Sequence, residues 1–375
     1  MKRFLLYFLA FAPLAVFAQL NGSGYYRVQN VYTERYISIV DTEAEVSTSG
    51  IDLRALHMLK PFEDSVAYNP ATICYVDLIS SSTCNLKGQG MDLKKATGGH
   101  VLTYLQRPDG TFWFYGKIGS SGTGVTKYLF DESYEDFAGK FPIVYYPNTD
   151  AGGKEWLVHP VNQSETNYFG VKPDIAATDG SYWATMYAGF PFKPSDASTK
   201  VYTVCDVDNA QGYAVIEELT GDVTAETPVL FLCGSATPSG NKLTLLDINT
   251  TANSGINYLQ GNYYCNDVAE KTGHRNVSAY DPARMRMLGV DADGKPAFVK
   301  SSINYLPANK AYLAVSSSAP DVLRIITKEE YITGIHEMNT STTDDTKVIY
   351  DLQGRRVQAP SKGLYIVNGK KMIIR

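Results

Sequence analysis

From Gly24 onward the chain alternates short apolar runs with clusters of Gly, Ser, Asn and Asp, and hardly any stretch carries the 3.6-residue period of a helix. The segments "YYRVQNVYTERYISIVD", "ICYVDLISSSTCNLKG" and "TFWFYGKIGSSGTGVTKYLFD" share one layout. Aromatic or β-branched residues alternate, polar residues turn, and a second strand follows. Their opening positions Tyr26, Tyr75 and Phe114 lie 49 and 39 residues apart, a loose period that predicts a three-fold β architecture. After "NQSETNYFG" come about eight candidate strands separated by Pro and Gly, the spacing of a β-sandwich. "HEMNTSTTDDTK" is too poor in apolar residues for a core, so 336–346 reads as a linker. The closing segment, 347–375, holds three strand-sized apolar groups, with Asn368-Gly369 suited to a two-residue hairpin turn. The prediction is all-β throughout, ending in a small three-stranded unit.

Length agrees with two or three domains: 375 residues exceed what one core usually serves. The 27 tyrosines favour pleated, half-buried surfaces. At the N-terminus, Lys2 and Arg3 precede an apolar run from Phe4 to Phe17, closed by Ala18 before Gln19. That is the three-part form of a secretory signal peptide, with 1–18 removed between Ala18 and Gln19. No later run approaches the roughly 18 apolar residues of a spanning helix, so no membrane span is expected in the mature form. Losing Lys2 and Arg3 takes the formal charge from -5 to -7.

Charge then singles out the tail. Lys347, Arg355, Arg356, Lys362, Lys370, Lys371 and Arg375 face one acid, Asp351, which makes +6 in 29 residues and leaves the rest of the mature chain at -13. One reading is an edge hairpin that finishes the preceding sandwich, its cations guarding an open edge. The spacer and the charge reversal argue for a separate unit.

Catalytic patterns are missing. There is no GxSxG, no phosphate loop and no HExxH, and the five histidines lack ligand spacing. In "DVDNAQGYAVIE", Asp206, Asp208 and Glu217 fit positions 1, 3 and 12 of a calcium loop, but Ala210 and Gln211 stand where oxygen and glycine are wanted, so a hairpin turn is expected. No metal, cofactor or nucleic-acid partner is predicted. Paired carboxylates for glycoside hydrolysis need only spatial closeness, and 39 acids offer many pairs. Five cysteines are sparse for an exported chain; Cys74 and Cys84, flanking "YVDLISSST", are the candidates for a bridge between neighbouring strands. Trp113, Tyr145, Tyr146 and Trp183 are the candidate ligand-binding rings, since an aromatic face accepts the C–H side of a sugar.

Three resemblances sharpen this. "GYYRVQNVYTERYISI" at 24–39 resembles the first strand pair of a ricin-B-like β-trefoil, and "KEWLVHPV" at 154–161 resembles its closing strand with a buried tryptophan. Sugar-binding members carry Gln-x-Trp in each lobe, whereas here Lys154 stands in the place of the glutamine before Trp156. The expected trefoil-like domain is 19–163. "ATMYAGFPF", "VYTVCDVD", "TPVLFL" and "PANKAYLAV" resemble β-sandwich modules of exported Bacteroidetes proteins, placing a sandwich at 164–335. The tail resembles the C-terminal sorting domain of the type IX secretion system, whose usual features match Gly354, Gly363, Tyr365, Gly369, Lys370, Lys371 and Arg375. Together they imply a secreted or outer-membrane-surface, non-enzymatic protein. Its expected partners are a glycan or surface protein and, through the tail, the type IX machinery. The alternatives are an exported hydrolase with the trefoil as accessory, or a structural component of a surface assembly.

Overall fold

The computed structural model describes residues 20–39, 51–59, 64–92, 101–118, 125–131, 142–147, 152–162, 167–251, 255–267, 276–333, 336–338, 349–358, 360–367 and 370–374. The described residues are nearly all strand and turn, and they form three successive units.

In the first unit the strands are β1 (Gly24–Asn30), β2 (Tyr36–Ile39), β3 (Ile51–Leu59), β4 (Cys74–Leu78), β5 (Thr83–Gly88), β6 (Met91–Asp92), β7 (Leu102–Gln106), β8 (Phe112–Ile118), β9 (Val125–Asp131), β10 (Pro142–Pro147) and β11 (Trp156–Pro160). Antiparallel pairings run β1 to β4, β4 to β5, β5 to β7, β7 to β8, β8 to β11 and β11 back to β1. That is a closed ring of six strands, with no free edge inside it. Outside the ring, hairpin β2–β3 pairs through β3 with hairpin β9–β10. A closed six-strand ring with hairpins across one end is a β-trefoil-like arrangement.

Alternation along the ring strands fills its centre. Tyr26, Val28, Cys74, Val76, Cys84, Leu86, Phe112, Phe114, Trp156 and Val158 form one buried cluster. Trp156 is fully buried and its indole N–H donates to the Leu129 carbonyl at 3.0 Å, as a buried indole must. The three-fold spacing holds only in part: Tyr26 and Phe114 enter this core, whereas Tyr75 pairs with Tyr25 and faces outward, its place inside taken by Cys74 and Val76. A one-residue offset in a period-two element reverses the face. At the rim, the buried Asp131 carboxylate accepts two hydrogen bonds from the Arg35 guanidinium, at 2.6 and 2.7 Å, and one from the Thr33 hydroxyl.

The central unit contains β12 (Phe169–Gly170), β13 (Ile175–Ala176), β14 (Tyr182–Met186), β15 (Phe192–Pro194), β16 (Lys200–Asp208), β17 (Tyr213–Glu218), β18 (Val229–Cys233), β19 (Lys242–Leu245), β20 (Leu259–Asn262), β21 (Met285–Val290), β22 (Pro296–Val299), β23 (Lys310–Ala314) and β24 (Val322–Thr327). A three-stranded sheet, β12-β19-β15, lies on one face of the long sheet β13-β14-β18-β16-β17-β24-β22-β21-β23-β20. Phe169, Phe192 and Leu243 meet Ala184, Met186, Val229 and Phe231 there. The opposite face presents Trp183, Tyr202, Val204 and Leu230 to a further cluster that includes Leu259, Phe298 and Leu313. The long sheet thus curls until β20 and β23 return over β14 and β16, which the Tyr258 amide fixes by donating to the Val204 carbonyl at 2.9 Å. Strands β14, β16 and β18 are buried on both faces, which explains "TPVLFLCG" as an unbroken apolar run.

These two units share buried surface. Ile73 of the first belongs to the central cluster, and Tyr264 of the second packs on the first core. Arg27, fully buried on β1, donates from Nη1 to the Asn167 side chain at 2.6 Å and the Tyr168 carbonyl at 2.9 Å, from Nη2 to the Val66 carbonyl at 3.1 Å, and from Nε to Thr72 at 3.1 Å. Gln89 and Asn309 exchange amide hydrogen bonds of 2.9 and 2.8 Å. Both are buried and both have left-handed backbone, with φ of 50° and 55°. A Cβ on Gly189 would lie 2.8 Å from the Gly90 nitrogen, so only glycine admits this approach of backbones.

The last unit is a four-stranded sheet, β25 (His336–Met338), β28 (Lys370–Ile374), β27 (Gly363–Val367) and β26 (Ile349–Tyr350). The three tail strands pair as the sequence predicts. The fourth, parallel to β28, comes from the segment expected to be a linker. The register Val367 opposite Lys370 leaves two residues for the β27–β28 turn, and those two, Asn368 and Gly369, lie outside the described residues.

Replacing Gln89 or Asn309 by Gly keeps the left-handed backbone and removes one amide, stranding the other. Each variant is expected to lose about 1–3 kcal/mol of unfolding free energy. The double variant should lose less than both together. Urea denaturation of the four proteins measures the coupling.

Candidate functional site

A groove of about 310 Å3 opens on the central unit, with Trp183 among the residues that line it. Alternation along β14 turns the Trp183 ring toward the inner cluster and leaves it mostly covered, 6.1 Å from the Tyr202 ring. The turn before it sets its orientation: the Ser181 amide and hydroxyl donate to the Asp179 carboxylate at 2.9 and 2.6 Å, and the Trp183 indole N–H donates to the Ser181 oxygen at 2.8 Å. The same bonds hold the Asp179 carboxyl below the usual carboxylate range. Parallel pairing of β17 with β24 puts Tyr213 beside Arg324 on the wall.

The charged rim is fixed before any ligand arrives. Arg324 sits 2.9 Å from Asp291 and 3.3 Å from Asp293. Glu330 accepts from the Thr327 amide at 3.0 Å and hydroxyl at 2.7 Å. Lys295 completes the rim. A groove walled by the half-buried Tyr213 ring, with donors and acceptors of both signs around it, suits shallow recognition of a polar ligand with one apolar face. Among the described residues no group of three or more His, Cys, Asp or Glu side chains could hold a metal ion.

Trp113 is engaged differently from the sequence expectation. The Arg107 guanidinium lies 4.4 Å and the Lys154 ammonium 4.6 Å from its ring centroid, and Tyr128 meets it edge-on at 5.5 Å. Lys154, nearly buried on the 3-10 turn Gly152–Lys154, also lies 5.3 Å from the Tyr128 ring. The residue standing where a sugar-binding trefoil has glutamine therefore covers the ring that was the candidate platform. Tyr145 and Tyr146 pair with Leu129 and Tyr128 on β9, which places their backbone beside this cluster; their side chains lie outside the described residues. Trp183 stands apart from all three, on the other unit.

In the tail, Gly354 (φ +79°) closes a turn in which Asp351 accepts from the Gln353 and Arg355 amides at 3.0 and 2.8 Å and from Arg355 Nε at 2.7 Å. Gly363 opens β27, Tyr365 pairs with Met372, and Lys371 is exposed. Gly369, Arg375, Ala18, Gln19 and the Lys370 side chain lie outside the described residues.

Cys74 and Cys84 do not form the expected bridge. Both are buried free thiols. Cys84 stands opposite Leu78, four rungs from Cys74, or about 13 Å along the strand, well past the reach of a disulfide. Burial pushes both thiols, and Cys233, up to about 12.

The wall and rim of the groove, Tyr213, Arg324, Lys295 and Glu330, went unnoticed in the sequence. Tyr213 and Arg324 meet through a parallel pairing across more than a hundred residues, which no local pattern signals. Only "TDGS" at 178–181, a side-chain-capped turn, marks the site locally.

No family model matches the chain, and no curated protein matches it. Among solved structures, a designed three-fold symmetric protein, ThreeFoil, is 11% identical, with a TM-score of 0.25 over 37% of this chain and 99% of that one. The trefoil-like assignment rests on the closed ring of strand pairings.

Three outcomes follow from this chemistry. Alkylation at pH 8 should leave Cys74, Cys84 and Cys233 unlabelled in the folded protein and label all five cysteines in denaturant, read by mass spectrometry. The folded chain keeps thiol protons that the unfolded chain releases above about pH 9. Stability should therefore fall as pH climbs from there toward 12. Lys154→Ala should cost about 0.5–2 kcal/mol by thermal melting, because the cation leaves two ring faces.

Proposed function

We propose that this is an exported, non-enzymatic binding protein of Bacteroidetes type, acting in the medium or at the cell surface, that grips a glycan in the Trp183 groove. The groove carries the reading: Tyr213 beside Arg324, Lys295, Asp179 and Glu330 on a β scaffold, with Trp183 packed behind them. Recognition is shallow, with the apolar face of a sugar ring on Tyr213 and its hydroxyls toward the rim. Export follows from the signal-like start and from a basic tail addressed to the type IX machinery, with Gly354, Gly363, Tyr365, Gly369, Lys370, Lys371 and Arg375 as its recognised features.

A glycan array probed with the full mature chain should show one family of sugars retained. Tyr213→Ala should weaken that binding roughly tenfold, the worth of about one stacked ring, with melting temperature preserved. Absence of any bound sugar, or equal binding by the variant, removes the groove from the account. Mass spectrometry of the native protein should find an N-terminus at Gln19 and loss of the tail. An intact chain in the cytosol overturns export.

A further inference from the structure

Strands β1 and β11 pair with Arg27 directly opposite His159, so both side chains leave the ring of strands on its outer face while Val28 and Val158 fill the inside. Arg27 there grips Asn167 and Tyr168, where the chain enters the central unit. Asn167 is a clip between the two strands: its side-chain nitrogen donates to the His159 and Pro160 carbonyls at 3.2 and 2.6 Å, and its oxygen accepts from Arg27 at 2.6 Å. His159 is half-buried, and a neighbouring amide sets its tautomer. Gln29 Nε2 donates to the Glu34 carbonyl at 2.9 Å, which turns Gln29 Oε1 toward the imidazole. That oxygen only accepts, so His159 Nε2 carries the hydrogen of their 2.9 Å bond and Nδ1 is left to take a further proton.

We propose that Arg27 and His159 form an acid-sensitive latch: a proton on His159 Nδ1 sets a second cation against the guanidinium that ties the two units together, and the Asn167–Tyr168 segment lets go. The case is independent of the glycan reading. Among the described residues, the charged and titratable groups that face His159 are Arg27 from β1 and Tyr36 from β2, whose ring lies 6.2 Å away. Burial holds the Tyr36 hydroxyl above the usual phenol range, so it offers no negative charge. Gln29 is neutral, and Asn167 meets only the His159 carbonyl. Burial first, and the Arg27 charge second, hold the imidazole below the usual histidine range. The opened chain therefore takes up this proton at a higher pH than the closed one. The latch is at full strength above about pH 6.5, the ordinary histidine value, and weakens as pH falls from there.

The test compares the full chain with His159→Gln, which keeps a donor for Gln29 and cannot take the proton. Hydrogen exchange read by mass spectrometry at pH 7.5 and pH 5, corrected for the intrinsic pH dependence of exchange, follows the stretches that Arg27 grips. In the parent, peptides covering 66–72 and 167–171 should exchange at least roughly threefold faster at pH 5, while β14 and β18 stay protected. In the variant, both pH values should give the pattern that the parent shows at pH 7.5. Proton NMR titration of the parent should place the His159 imidazole, identified by the resonance that the variant lacks, below the ordinary histidine value. No acid opening in the parent, equal opening in parent and variant, loss of β14 and β18 protection in step with the junction, or a His159 titration at or above the ordinary value overturns the proposal.

Discussion

The exchange of two amide hydrogen bonds between Gln89 and Asn309 is the constraint on which the joined units depend. Each amide satisfies the other where neither reaches water, and each residue accepts a left-handed backbone to do so. Around this pair everything is close. Asn309 also donates to the Tyr187 carbonyl at 3.0 Å, and the Tyr264 hydroxyl donates to the Gln89 carbonyl at 2.8 Å. A loose apolar junction would let the units slide; paired amides accept one register only.

Arg27 makes the same point with a charge. Burial lowers its proton affinity to about 10, yet four hydrogen bonds from its guanidinium reach oxygens of both units. The first core thus extends past its ring of strands into the start of the central unit. The groove lies on a sheet curled over its own core, and the junction beside it is bridged by these bonds.

Much of the fold was legible because the signals were local. Turn residues between alternating apolar runs gave the strands, Trp156 gave the closing strand, and the tail hairpin followed from its Asn-Gly. What escaped was long-range or off by one. Tyr75 looked equivalent to Tyr26 and Phe114, but one position of register sends it to the junction. Cys74 and Cys84 looked close because they flank a hairpin, whereas the length of that hairpin separates them by four rungs. Trp113 and Trp183 read alike as aromatic candidates, and only the fold shows one held by Arg107 and Lys154 and the other buried beside Tyr202 behind a groove. His336–Met338 has no strand-like composition; it is recruited by the open edge of β28.

Ring closure by β1 and β11 has a kinetic side. Asn30 finds its partner at Trp156, more than a hundred residues downstream, so the first core cannot seal until nearly half the chain is available. A chain emerging end-first stays uncommitted over that interval, threadable through a narrow passage, and locks only once its own far strand arrives.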